Sequence, residues 1–188
     1  MSATSFTLPA RILHWVMAPL LVAMLLIGTG MVATLSSWHP VLVNLHKHLG
    51  VALLVLATLR LLLRLISPVP SLPKSIPLFQ KIAARASHLV IYGCMLAMPF
   101  IGWAMLSAAG EPLPGLGSMH LPPIASPSVE TYSLLRNLHG LLGILFFITI
   151  LVHIAAGLLH ALILRDGVFE SISLGRRKST PHLKSQHR

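Results

Sequence analysis

The segment Asn137–Leu164, NLHGLLGILFFITILVHIAAGLLHALIL, has no Asp, Glu, Lys or Arg, yet it carries His139, His153 and His160. A helix needs roughly 20 apolar residues to cross about 30 Å of hydrocarbon, so this stretch is long enough to span a membrane. Its histidines run against that composition. An ionisable side chain in lipid is costly and turns toward the bundle interior, where a functional role is the first hypothesis. His139 and His153 are fourteen residues apart, close to four helical turns. They therefore share one face, separated by about 21 Å along the axis.

Similar apolar runs occur across the chain, and the sequence predicts spans at about 10–35, 41–65, 84–109 and 134–164. The composition agrees: 55% of the 188 residues are hydrophobic, 10% are charged, and the mean hydropathy is +0.81. A soluble domain carries about a quarter charged residues. Open sheets cannot cross lipid, and the runs lack the alternation of a membrane barrel, so the predicted fold is all-α, a four-helix transmembrane bundle. Residues 1–177 form the bundle in this scheme, and 178–188 a basic, disordered tail.

Charge sets the orientation. Arg11, Arg60, Arg64, Lys74, Lys81, Arg85, Arg165, Arg176, Arg177, Lys178, Lys184 and Arg188 fall on one side of the predicted spans, and only Lys47 and Arg136 on the other. Cytoplasmic loops carry the excess of Lys and Arg, which places both termini in the cytoplasm of a multi-pass inner-membrane protein. The net charge of +10 is then an orientation signal, and no nucleic-acid motif accompanies it. The single cysteine, Cys94, excludes an internal disulfide and a covalent haem attachment motif.

Partners for His139 and His153 must come from other helices at equal depth. The topology offers His46 at the start of the second span, level with His139, and His14 at the start of the first, near His153. Zinc normally takes four ligands, and copper or di-iron sites call for thiolate or carboxylate, which these helices do not supply at matching depth. Porphyrin brings four nitrogens and leaves two axial positions. The candidate metal ligands are therefore His14, His46, His139 and His153, holding two non-covalent b haems.

Gly50, Gly143 and Gly157 each follow a candidate ligand by four residues, leaving room either for a flat ring or for ordinary helix contact. Arg11, Lys47 and Arg136 lie beside ligands, where they would meet anionic propionates. Arg60, fourteen residues after His46, either neutralises propionates or snorkels. His160 shares the face of His153, and His88 and Tyr92 lie one turn apart at the same boundary; these three form either a polar pocket or an interfacial anchor.

Arg11-Ile12-Leu13-His14-Trp15, His46 through Gly50, Arg60-Leu61-Leu62-Leu63-Arg64 before Pro68 and Pro70, His88-Leu89-Val90-Ile91-Tyr92, and His139 to His153 with His160 beyond together resemble the bacterial cytochrome b561 family. The resemblance covers essentially the whole chain. It implies two b haems on the four histidines and electron exchange with ubiquinone in the inner membrane, for which the polar pocket of His88, Tyr92 and His160 is the candidate quinone site. One branch of the family is an oxidoreductase that oxidises superoxide to dioxygen at the periplasmic face and reduces ubiquinone. The alternative role is a cytochrome b subunit joining a periplasmic dehydrogenase or electron-carrier protein to the quinone pool.

Overall fold

Proline and serine mark where the helices begin. The computed structural model describes residues 5–33, 36–68, 70, 76–115 and 119–175. Four long helices dominate: α1 Leu8–Ala33, α2 His39–Ile66, α3 Leu78–Ala108 and α4 Val129–Leu158, the last continuing as a π-helical turn, Leu159–Leu164. Pro40 sits in the first turn of α2 and Pro77 directly precedes α3, where a missing N–H leaves no helical bond unmade. Ser128 caps α4 by accepting a hydrogen bond from the Thr131 N–H at 3.2 Å.

All four helices are long and apolar enough to cross a membrane. Their burial is inverted relative to a soluble bundle. Val55, Leu62, Leu141 and Ile144 are among many large apolar side chains that face outward. Such a surface suits hydrocarbon, whereas in water it would be an aggregation hazard. Inside, Met17, Leu21, Leu53, Ala57, Ile91, Met95, Phe146 and Ile150 form a buried plug across the four helices. Helix α1 packs along α2, α3 along α4, and α2 against α3, while α1 and α4 meet only briefly. Helices α2 and α4 are thus diagonal across the bundle.

The up-down order puts both termini at one end, here called the terminal end. The opposite, loop end carries the α1–α2 connection and the longer α3–α4 connection. Within the latter, β1 Leu113–Pro114 pairs antiparallel with β2 His120–Leu121. The Trp103 indole N–H donates to the Pro122 carbonyl at 2.9 Å and the Ser107 hydroxyl accepts from the Ile124 N–H at 3.1 Å, folding this loop over the end of α3.

At the terminal end the chain reverses through Arg165, in the left-handed region at φ 48°, into the short helix α5, Val168–Ile172. This segment returns to α1. The Phe6 N–H donates to the Ser171 carbonyl at 3.0 Å, the Trp15 indole to the Ile172 carbonyl at 3.0 Å, and Arg11 to the carbonyls of Ser173 and Gly175.

The helices α3 and α4 start some five residues earlier than the sequence predicts, at Leu78 and Val129 rather than near 84 and 134. Their opening turns contain Gln80, Lys81 and Arg85, and Glu130 and Arg136, polar residues that end a hydrocarbon-crossing run without ending a helix. The basic tail, 178–188, lies outside the described residues. Replacing Ser128 with Ala removes the cap of α4 and should lower stability by about 1 kcal/mol, read as a reduced unfolding midpoint in detergent micelles.

Candidate cofactor sites at the two ends of the bundle

Both predicted histidine pairs meet. At the loop end, His46 of α2 faces His139 of α4 with ring centroids 6.1 Å apart and ring planes at 68°. At the terminal end, His14 of α1 faces His153 of α4 at 6.5 Å and 78°. With metal–nitrogen bonds of about 2 Å, imidazoles on opposite sides of one ion stand with centroids roughly 6 Å apart. Each pair has the separation that a shared axial ion requires.

The loop-end rings are set against backbone rather than side chains. A Cβ on Gly28 of α1 would meet the His46 ring at 3.5 Å, and one on Gly102 of α3 would meet the His139 ring at 3.4 Å. These two glycines, absent from the sequence-based candidates, form the walls behind the rings. Gly50 and Gly143 instead face the methyl groups of Met24 and Met98, at 3.1 and 3.6 Å from an added Cβ, and Gly157 faces open space. The physical reason is directional. A helical side chain leans over the turn before its own Cα, so room for a ligand's ring must come from the neighbouring helix.

Nδ1 of His46 and Nδ1 of His139 are buried with no hydrogen-bond partner among the described residues. The Met98 carbonyl approaches the His139 ring without reaching hydrogen-bond geometry at Nδ1. An unsatisfied buried polar atom costs about 1–3 kcal/mol, so these rings are poorly explained as packing residues. Among the described residues, no group of three or more His, Cys, Asp and Glu side chains stands ready to hold a metal ion. Paired imidazoles without a further protein donor fit a macrocycle that brings its own nitrogens, and so fit haem.

The terminal end is more crowded. His88 of α3 lies 5.5 Å from His153, closer than His14 does, and its Nδ1 donates to the Ala84 carbonyl at 2.6 Å. Arg60 enters the same region; its guanidinium donates to the Ala10 carbonyl at 3.1 Å and has Tyr92 beside it. Among the described residues no carboxylate pairs with Arg60. A partly buried guanidinium lacking an anion is matched to a ligand that carries one, as porphyrin propionates do. Arg11 is committed to the carbonyls after α5, while Lys47 is half-buried and Arg136 exposed at the loop end.

His160 sits within the π-helical turn. Its Nδ1 bonds to Oδ2 of Asp166 at 2.7 Å, and Oδ1 of the same carboxylate accepts from the Val168 N–H at 3.1 Å. The structure thus brings His46 to His139 and both His14 and His88 to His153, whereas Arg11 is engaged elsewhere and Gly50, Gly143 and Gly157 do not face the rings; two features are new. Asp166 was hidden by its place in the polar region after the last span. His88 joins the ligand cluster itself rather than only a pocket beside it.

A sequence profile of the family described as prokaryotic cytochrome b561 matches residues 5–175. The chain belongs to this family. It is 30% identical over 170 residues to cytochrome b561 homolog 2 of Escherichia coli (strain K12), covering 88% of this chain and 89% of that protein. It is 32% identical over 131 residues to the probable superoxide oxidase CybB of Yersinia pestis, covering 69% and 73%. Cytochrome b561 homolog 1 of Escherichia coli (strain K12) is 28% identical over 131 residues, covering 70% and 74%. The protein is thus a multi-pass bacterial membrane cytochrome of the b type, acting in electron transfer.

For this cytochrome, the glycine walls make a graded prediction. Gly28→Ala and Gly102→Ala add a methyl at ordinary contact distance and should keep full haem content. Gly28→Leu and Gly102→Leu push the His46 and His139 rings aside and should each lose about one haem per chain in a pyridine haemochrome assay.

Proposed function

We propose that the protein is a di-haem cytochrome of the inner membrane that carries electrons from a periplasmic donor to ubiquinone. The single observation that carries this reading is the presence of two facing imidazole pairs, His46–His139 and His14–His153, at opposite ends of one bundle. When bound, b haem supplies one-electron redox chemistry. The residues supply position. His46 with His139, and His14 with His153, would hold the haems between paired imidazoles, which would disfavour dioxygen binding at iron and favour outer-sphere electron exchange.

The excess of Lys and Arg in segments at the terminal end supports a cytoplasmic terminal end and a periplasmic loop end. Bundle and basic tail then divide as 1–177 and 178–188. Superoxide is the favoured small donor. A relative bears the printed name probable superoxide oxidase, and Lys47 and Arg136 flank the loop-end pair, where they attract an anion. Two superoxide ions each lose one electron to become dioxygen, while one ubiquinone gains two electrons and two protons to become ubiquinol.

Those protons must be delivered at the terminal end. His160, His88 and Tyr92 are the polar side chains there that can hold a quinone head, and the Asp166 carboxylate fixes which His160 nitrogen bears the proton. With Nδ1 donating to Asp166, Nε2 carries the lone pair, has no partner among the described residues, and is the acceptor offered to a hydroxyl of the bound ubiquinol.

The purified protein should hold two haems per chain, and His14→Ala, His46→Ala, His139→Ala and His153→Ala should each lose one; a native chain with none would refute the reading. With Lys47 and Arg136 both changed to Gln, superoxide oxidation should slow several-fold and lose most of its salt dependence. Asp166→Asn keeps the acceptor for Val168 but turns a donor toward His160. Inhibition by a short-chain ubiquinol should then weaken roughly tenfold, the worth of one such hydrogen bond, with haem content unchanged.

A further inference from the structure

The two helix hairpins carry the same residues at the same depths. At a constant offset of 74 positions, Arg11, His14, Met24, Ile27, Gly28 and Met31 of α1 recur in α3 as Arg85, His88, Met98, Ile101, Gly102 and Met105. At an offset of 93, Asn44-Leu45-His46 and Leu49-Gly50 of α2 recur in α4 as Asn137-Leu138-His139 and Leu142-Gly143.

Contacts repeat with the residues. Gly28 backs His46 as Gly102 backs His139, and Met24 fills the space over Gly50 as Met98 does over Gly143. The buried plug obeys the same offsets: Met17 corresponds to Ile91, Leu21 to Met95, Leu53 to Phe146 and Ala57 to Ile150. Chance recurrence of a motif would not also place the buried side chains of both hairpins in register. Since α1 and α3 run one way and α2 and α4 the other, the axis relating the hairpins lies along the membrane normal.

Under this relation His46 and His139 are mates, so the loop-end pair lies across the axis. At the terminal end His14 is the mate of His88, and the mate of His153 is Arg60. Two equivalent cross-hairpin settings therefore exist, residue 153 with His14 and residue 60 with His88. A guanidinium is always protonated and offers no lone pair, so it cannot ligate iron. The third combination, His88 with His153, has its rings at 5.5 Å, short of the roughly 6 Å that opposed imidazoles on one ion need.

We propose that the chain is a tandem repeat of one two-helix hairpin about a pseudo-two-fold axis, and that Arg60, the mate of His153, selects which setting holds the terminal-end haem because it cannot do beside His88 what His153 does beside His14. His88 is then a latent axial ligand. This rests on the haem ligation proposed above.

The test exchanges the two residues in the full-length chain, as Arg60→His with His153→Arg, and reads haem per chain and the number of low-spin ferric signals by electron paramagnetic resonance. The exchanged protein should hold two haems, the second lost on His88→Ala and kept on His14→Ala; in the native background those dependences are reversed. Retention of the loop-end haem reports a folded bundle. Should the exchanged chain be colourless, Arg60→His alone decides: combined with His14→Ala it should hold two haems, where His14→Ala by itself holds one. A combined variant left with one haem overturns the proposal, making the tighter packing of α2 on α3 the selector. A second haem in the exchanged chain that still depends on His14 overturns it equally. If native His14→Ala keeps both haems, the ligation itself is wrong and the proposal falls with it.

Discussion

An imidazole buried in a membrane bundle must be given a partner, and the geometry of this protein follows from how that is done. No acidic side chain lies within the central plug, and Nδ1 of His46 and Nδ1 of His139 have no hydrogen-bond partner among the described residues. Their requirement fixes other positions. Glycine must stand on the adjoining helix behind each ring, the helices α2 and α4 must remain diagonal, and methionine must fill the space one turn deeper. The apolar plug then separates the two ends by the length of about four turns.

That constraint was legible in the sequence only from one side. Charge-free runs and the spacing of His139 and His153 identify the spans, the paired ends and the facing histidines, because both features act along a single helix. The glycine walls act between helices. Gly50 and Gly143 lie near the ligands in sequence, yet their missing side chains make room for Met24 and Met98, while Gly28 and Gly102 do the work at the rings. The signal that would have found them is the internal repeat, since a glycine fourteen residues after a histidine occurs in both α1 and α3. Helix starts at Leu78 and Val129 were obscured because hydropathy marks the hydrocarbon boundary rather than the helix boundary.

The π-helical turn shows how local strain accompanies the terminal end. In a regular helix, residues 160 and 166 would be about 9 Å apart along the axis and on different faces. A widened turn followed by the left-handed Arg165 reverses the chain, and the Arg165 N–H closes onto the His160 carbonyl at 2.8 Å. The reversal brings Asp166 to His160 and starts α5 with the same carboxylate. Wide turns of this kind recur at functional sites because they place groups that a regular helix keeps apart.

The two ends differ in the chemistry they can support. The loop-end pair is made of residues that are mates under the repeat, backed by mated glycines, with no proton-active carboxylate bonded to either ring. Such a site suits exchange of an electron alone, and superoxide loses only an electron when it becomes dioxygen. At the terminal end the repeat is broken by Arg60, with Tyr92 and His88 beside the break, and His160 bonded to Asp166 at the same end. Quinone reduction needs protons as well as electrons, and these side chains are what a proton-consuming acceptor would require. Under the proposed function, the asymmetry that unbalances an otherwise repeated fold would also divide its tasks: the end that kept its symmetry would meet the donor, and the end that lost it the acceptor.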